Sequence, residues 1–513
     1  MAAKNFLFSL ILFPLGIFCL QAQFISGKLL DSTTLKSVPY ATIQLGISRG
    51  VITNEEGQFN LMLDKSSKST DSLFISCMGY ETLGRTIGQF KDSLVYLNPK
   101  PIALNSVIVS NKKYNADDIL ELVKSNLDKN YNRDLTKKRL FFREYYYQHL
   151  YRSKYSDLKS TIKAFNKSFL DSVIQTVPKV DARYTEVLCD LYGNFQKEKQ
   201  KIELIKASEL YDKNSALDLE ALEVKFNNII KKNVKTDSYF KIKSGLFGTK
   251  MDADELFETE IDSSDVAALN KNLEEEKKNI EERKKNFAQY RKSTISKLME
   301  QLFFMEDSNL NFIWKQRRYN FQLNDFTYLG SAPVYVINFE PKGSEDYRGT
   351  LYINADDFAI VRIDYENVKP VRTFKLLGVS LNQNRSKGKM IFYKGADNRY
   401  NLRYLEKENG NVAGIKRPLK IIEKNKNVKG KRKQNQLSLD MDLAISSTNK
   451  FEIVVFDTQN STQDQFEGIS ENNAVLPTYM PKYDPDFWKG YAIIEPNKAI
   501  KEFTSKEDVS DGY

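Results

Sequence analysis

The sequence predicts an α+β protein, mainly β, with an N-terminal β-sandwich followed by a larger antiparallel β-rich domain that carries long helical insertions. Three observations predict it. Over roughly the first hundred residues, short apolar-alternating segments recur at regular spacing between Gly, Asn, Asp and Ser turns. From Leu140 onward the alternating runs become longer and rich in tyrosine, and between them lie stretches whose apolar residues repeat at helical spacing. At roughly 150 residues per domain, 513 residues suggest two to four domains.

Composition removes whole function classes. There are 77 Lys and Arg against 67 Asp and Glu, a net charge of +10, with three Cys, one His and a mean hydropathy of -0.50. A disulfide scaffold and a polytopic membrane protein do not fit. A zinc hydrolase needs two imidazoles and a carboxylate on its metal, which one histidine does not supply. His149 lies in the aromatic run Arg143-Glu-Tyr-Tyr-Tyr-Gln-His-Leu-Tyr, which reads as a strand, so His149 is a strand residue half covered by tyrosines rather than a catalyst.

Residues 1–22 read as a signal peptide. Lys4 supplies the positive start, Phe6 to Leu20 the apolar stretch, and Leu20-Gln-Ala22 the small residue before a cut at Gln23. The bulky Phe18 departs from a lipoprotein signal at Cys19. Without the leader's Lys4 the charge becomes +9, and Cys77 and Cys189 remain, each among alternating apolar residues. They read as buried free thiols, with a bridge left open in an oxidising compartment. An exported chain meets anionic headgroups and polysaccharides rather than nucleic acid. The run from Lys424 to Lys433 accordingly reads as a solvated hairpin tip between two strands.

Residues 23–110 form the sandwich. Its strands are Phe24 to Asp31, Ala41 to Leu45, Gly50 to Thr53, Gly57 to Leu63, Ser72 to Cys77 and Leu94 to Leu97. Asn54-Glu-Glu-Gly57 is a tight turn in which glycine accepts positive φ cheaply. Gly27, Asp31, Pro39-Tyr-Ala-Thr-Ile43, Gly50, Thr53 to Phe59 and Ile75-Ser-Cys-Met-Gly-Tyr80 resemble the carboxypeptidase-regulatory-like domain, a transthyretin-like sandwich found after the signal peptide of Bacteroidetes envelope proteins, TonB-dependent receptors among them. The resemblance covers roughly residues 24 to 110. It implies an exported Bacteroidetes protein but no peptidase activity, because the module accompanies catalytic domains without supplying their zinc ligands.

A receptor would continue with a plug and a barrel. Here Asn105-Ser-Val-Ile-Val-Ser110 closes the sandwich, and a connecting helix within 111–135 follows, capped by Asn115 with Ile119, Leu120, Val123 and Leu127 on one face. That excludes the transporter reading. The β-rich body spans 136–460, with helical insertions near 156–177 and 196–306. They include Ser156 to Val177, Leu217 to Lys232, and a long helix from Asp262 to about Glu306 whose middle carries one apolar residue in seven. Such a thin stripe suits a solvated helix docked along one line, while its end (Ile295, Leu298, Met299, Leu302, Phe303, Phe304) should pack on the body.

From Trp314 to Phe456 the chain reads as an antiparallel meander with a hairpin loop at Asn354-Ala-Asp-Asp. Arg348 to Ile363 is similar to a hairpin of lipoprotein-carrier-like periplasmic proteins. That likeness implies an apolar cavity lined by Leu351, Ile353, Ile360 and Ile363, with a filled sheet core as the alternative. Residues 461–513 read as an extended arm, because the prolines in Leu476-Pro-Thr-Tyr-Met-Pro-Lys-Tyr-Asp-Pro-Asp-Phe-Trp-Lys-Gly-Tyr forbid a helix; its aromatics suggest packing across the body or a sugar platform.

Ser156-Asp-Leu-Lys159 and Ser160-Thr-Ile-Lys163 satisfy S-x-x-K, but the loosely matching companions Lys243-Ser-Gly245 and Ser447-Thr-Asn449 are in the wrong order for a penicillin-binding enzyme. No catalytic, cofactor-binding or metal-binding residue is assigned. The expectation is a non-enzymatic envelope protein of the periplasm or outer membrane that binds a lipid, glycan or protein partner and no nucleic acid. The alternative is a hydrolase of envelope glycan or peptide that works with carboxylates.

Overall fold

The computed structural model describes residues 24–46, 49–63, 66–91, 93–100, 114–235, 237–245, 247–252, 266–427, 429–430, 432–471 and 474–505. The leader, the segment Asn105 to Ser110 expected to close the sandwich and the helix start at Asp262 lie outside them.

Among the described residues seven short strands build the sandwich: β1 (Phe24–Asp31), β2 (Thr42–Leu45), β3 (Arg49–Ile52), β4 (Gln58–Met62), β5 (Ser72–Ser76), β6 (Leu83–Thr86) and β7 (Leu94–Leu97). One sheet has the order β4-β1-β7 and the other β3-β2-β5-β6. β6 was not foreseen, because Leu83-Gly-Arg-Thr has no apolar alternation. The turn at Asn54 forms as expected. Gly57 sits at φ 74°, where a Cβ would meet the Leu29 carbonyl oxygen at 2.7 Å, and the Asn54 side chain accepts from the Gln58 amide at 2.8 Å.

After α1 (Ala116–Ser125) and α2 (Leu127–Asn130) the body begins. Asn115 caps α1 by accepting from the Asp118 amide at 2.8 Å, and Asp118 reciprocates. The body strands are β8 (Thr136–Ser160), β9 (Val180–Gly193), β10 (Gln200–Leu210), β11 (Ser238–Ser244), β12 (Phe247–Asp252), β13 (Tyr319–Leu329), β14 (Ala332–Pro341), β15 (Tyr347–Asn354), β16 (Ile360–Asn367), β17 (Arg372–Leu376), β18 (Val379–Lys394), β19 (Tyr400–Asn425), β20 (Lys433–Asn460) and β21 (Thr478–Met480). Among the described residues fourteen strands share one sheet, with the path β13-β14-β15-β16-β18-β19-β20-β8-β9-β10-β21 and β11, β12 and β17 attached beside it. All its ladders are antiparallel except the short parallel pair of β10 with β21.

Helices lie among these strands: α3 (Lys167–Thr176), α4 (Asn214–Asn233), α5 (Val266–Met299), α6 (Gln463–Glu467) and α7 (Lys498–Lys501). Two helical expectations need correction. Ser156 to Ser160 remains strand, because β20 continues to pair with it up to Leu437 opposite Ser160 and Asp157 takes φ 52°, which breaks any helix there. The span 196–306 also holds β10, β11 and β12 as well as α4 and α5, since β9 and β19 offer edges for them.

The central strands are buried on both faces. Leu140 and Phe142 join the core beneath α1 and the end of α5, while Phe141 joins the sandwich core; Ile453 and Val455 divide from Val454 in the same way, as do Val187 and Cys189 from Leu188. Successive side chains point to opposite faces, so double burial is what makes these strands read as unbroken apolar runs. The sandwich core and one face of the sheet are thereby a single hydrophobic cluster. Leu351, Ile353, Ile360 and Ile363 are 0% exposed in the opposite core, packed with Phe303, Phe304 and Phe312, so they fill a sheet core. Cys77 and Cys189 are buried free thiols.

Candidate functional site

Where the sandwich meets the sheet, β8, β19 and β20 each bring charge under cover. Arg143 on β8 donates to Glu186 on β9 at 2.7 Å and to the Ile494 carbonyl at 2.9 Å, and approaches Glu452 on β20 at 3.5 Å. The other Glu186 oxygen accepts from the Trp488 indole at 2.7 Å. The Tyr404 hydroxyl lies 2.9 Å from Glu452 and 3.0 Å from Glu406. Lys450 completes the chain, 3.1 Å from Glu406 and 2.7 Å from Glu55 of the sandwich turn. Tyr40 of the sandwich donates to Glu406 at 3.4 Å.

Burial opposes the charges of Lys450, Glu452 and Arg143, yet their partners prevail. Desolvation works against the Lys450 ammonium, but Glu452, Glu406 and Glu55 hold its pKa above the ordinary lysine range. Desolvation would raise Glu452, whereas Lys450 and Arg143 bring it below the ordinary carboxylate value. The Tyr404 hydroxyl is pushed far up by burial and by Glu452 beside it. Next to this chain Arg403, fully buried, donates to the carbonyls of Val455 at 2.7 Å, Phe456 at 3.0 Å and sandwich Gly50 at 3.3 Å, with its guanidinium 3.8 Å from the Tyr393 ring centroid. It fixes the sandwich to the sheet through main-chain oxygens that a side-chain substitution in the sandwich cannot remove.

The network opens into a polar cleft of about 580 Å³ between Tyr40 and Glu55 on the sandwich and β14 to β19 of the sheet. Its carboxylates are held by cations: Asp364 by Lys389 at 2.6 Å and Arg362 at 2.8 Å, Glu366 by Arg348 at 2.7 Å, and Glu406 by Lys450. A second cleft, about 800 Å³, lies over β8, β9 and β10 and is lined by Glu144, Glu209, Arg183, Arg291 and the rings of Tyr146 and Tyr290. There burial lifts the Glu209 carboxyl above its ordinary range against the pull of Arg291 and Arg183. Glu144 instead accepts from Arg291 and, at 3.2 Å, from Asn449. A third site is a small apolar pocket of about 130 Å³ between α4 and the far ends of β11 and β19.

The motifs noted in the sequence disperse. His149 is a half-buried residue of β8, opposite Ser446 and 6.3 Å from the Tyr151 ring. Ser156 and Lys159 lie opposite Asp440 and Ser438 on β20, and the extra residue at Asp157 leaves both on an exposed strand face rather than on one turn of a helix. The Ser160 hydroxyl donates to the Ile162 carbonyl instead. Trp488 is 2% exposed and packs edge-on against Phe141, so the C-terminal arm uses it as core and not as a sugar platform. Among the described residues no cluster of His, Cys, Asp and Glu is arranged to hold a metal, and no helix is long and apolar enough to cross a membrane. The buried network was missed in the sequence, although Glu406, Lys450 and Glu452 interrupting apolar strands were its visible signal.

Fold and site together define a β-rich scaffold in which an N-terminal sandwich is fused to one face of a large antiparallel sheet. Residues 25–109 match the family model of the CarboxypepD_reg-like domain. No curated protein matches the chain. Among solved structures, the Pseudomonas aeruginosa MucA/MucB complex is 7% identical over 64% of this chain and 93% of that one, with a TM-score of 0.14. MucB in complex with MucA(peri) gives 8%, 64%, 93% and 0.14. A putative membrane-associated protein of unknown function from Bacteroides fragilis is 9% identical over 85% of this chain and 98% of that one, with a TM-score of 0.12.

Proposed function

We propose that this is a non-enzymatic protein of the cell envelope, exported to the periplasm or outer membrane, that binds a lipid, glycan or protein partner through the face where sandwich and sheet meet. The observation that carries this reading is the pairing of the cleft carboxylates. Asp364, Glu366 and Glu406 each have a cation within 3.1 Å, an arrangement that presents fixed charges to a partner and leaves none of these three as an unengaged acid. The CarboxypepD_reg-like match at residues 25–109 supports an accessory role. The test is co-purification from envelope extracts with both lipids and proteins identified: wild-type protein should retain a partner that the charge-reversed variant Lys389→Glu loses. Recovery of the intact, uncleaved chain in the cytosol would end the reading.

A carboxylate hydrolase is the second reading, and Glu209 favours it. Glu209 and Glu144 both stand opposite Thr185 in the ladders of β9 with its two neighbours. Two strand spacings put their Cα atoms about 10 Å apart, near the separation of roughly 6.5–9.5 Å between the carboxyl groups of an inverting pair. The raised carboxyl would serve as acid and the Arg291-bound one as base. Turnover of an envelope glycan by purified protein, abolished in Glu209→Gln, would establish it and displace the binder.

A further inference from the structure

We propose that two hairpin tips on the edge of β19 form an apolar wedge that docks on an anionic lipid leaflet; this deepens the envelope reading by naming a partner for a different face. The outer edge of β19 is served by two strands in succession. β18 pairs with it as far as Val379 opposite Ile415, and β11 takes over from Lys243 opposite Lys420. Between them lies Lys416-Arg-Pro-Leu419. The Lys416 amide still reaches the Gly378 carbonyl at 2.7 Å, and two residues on, where the next amide would face the same edge, stands Pro418, which has none. The β17–β18 and β11–β12 hairpins therefore meet tip to tip. Arg417 marks the junction, donating to the Ser244 carbonyl and lying 4.9 Å from the Phe247 ring centroid.

What these tips present is unusual for a solvated turn. Phe374, Leu376, Leu377, Ile415 and Phe247 are 48%, 54%, 49%, 41% and 56% exposed. Leu377 and Gly378 form a two-residue turn with φ of 47° and 80°. Such a turn favours Asn-Gly, because a branched hydrocarbon side chain in the left-handed region is strained. Here a leucine accepts that strain while remaining half exposed, a local rule broken without any gain inside the fold.

The charges select the occupant. Residues 238–251, 372–381 and 414–422 contain eight Lys and Arg and no Asp or Glu. Among the described residues no ion pair engages Lys243, Lys375, Lys416 or Lys420. Asp442, opposite Lys416 in the ladder, is taken by Arg152 at 2.8 Å. Protein interfaces are depleted in lysine, whereas lysine ringing exposed Phe and Leu is the composition of a surface that enters an anionic headgroup layer.

Co-sedimentation of the full chain, with residues 1–22 removed, tests this on vesicles of phosphatidylcholine alone and with about one third phosphatidylglycerol. Wild type should bind the anionic vesicles at least tenfold more tightly, and binding should weaken with salt. Leu377→Asn with Phe374→Ser should lower binding about tenfold, with no loss of melting temperature because asparagine suits the turn; Lys375→Gln with Lys416→Gln should lower it about as much. Equal binding to neutral vesicles, undiminished binding by both variants, or self-association at these tips without vesicle binding would overturn the proposal. If the protein fractionates with the envelope and retains a partner at the cleft while ignoring vesicles, the wedge fails and the envelope reading stands.

Discussion

Arg143 and Arg152 lie nine residues apart on β8, and each pairs with a carboxylate across the ladder, yet they occupy opposite worlds. Arg143 is 3% exposed, sealed between the sandwich and the sheet with Glu186 at 0%. Arg152 is 44% exposed beside Asp442 at 28%, where β8, β19 and β20 run on beyond the sandwich and carry, among the described residues, the small cluster of α3, α4 and β11. The same strands thus have a covered half and a bare half. Chemistry alone does not decide what a pair contributes; the cover laid over it does, because desolvation turns an Arg–carboxylate contact from an optional surface feature into an obligatory one.

Breaking the covered pair should have the largest effect. Glu186→Ala leaves Arg143 and the Trp488 indole facing a void and should cost about 3–5 kcal/mol in urea unfolding; a loss under 1 kcal/mol would mean that water reaches the seam. Wild type should also weaken in acid. Glu452 is held below its ordinary value, so its stabilisation is present above an unfolded pKa of about 4.3 and disappears as pH falls through the lower folded one.

Next in size is Lys138, buried in the covered half, where desolvation brings its pKa down to about 8. A depressed lysine contributes full stability above the unfolded pKa of about 10.4, and loses it as pH falls toward about 8. Lys138→Met should therefore stabilise the protein by roughly 2–3 kcal/mol at pH 7, with the gain shrinking between pH 8 and 10. A gain independent of pH would indicate a packing effect instead.

Glu209, at the rim of the covered half, should give a smaller change. Its carboxyl is raised by burial, so stability is lost as pH rises through the folded pKa. Melting temperatures should show Glu209→Gln more stable at pH 7 and equal to wild type at pH 3. The smallest effect belongs to Arg152→Ala, under about 1 kcal/mol. If it cost as much as Glu186→Ala, the contrast between the two halves would be gone.

The sandwich was legible in the sequence because its determinants are local: Asn54 to Gly57 sets a turn, and each short strand carries its own alternation. The α1 cap at Asn115 is local too. Ser156 to Ser160 was not legible, since β20, nearly three hundred residues away, decides that it is strand. The charged seam was hidden for the same reason. Glu406, Lys450, Glu452 and Arg143 come from three strands, and no spacing within any one of them announces their meeting. The hairpin tips show a middle case, in which Leu377-Gly378 is an odd turn sequence on its face but acquires meaning only when Phe247 arrives from another hairpin.

The placement of β8 beside β20 also dictates when this protein becomes able to fold. Arg143 and Glu452 are 309 positions apart, so a ribosome delivers the first member of the sheet's central pair long before the second. During that interval Leu140-Phe-Phe142 has no strand to shield its β20 side, and the arm that lays Trp488 over Phe141 is made later still. A nascent chain in this state exposes an aromatic strand edge prone to mispairing. Residues from 433 onward, β20 and then the arm, are consequently those that close the molecule, and a ribosome stalled before residue 433 would release a sandwich attached to an unfinished, adhesive sheet.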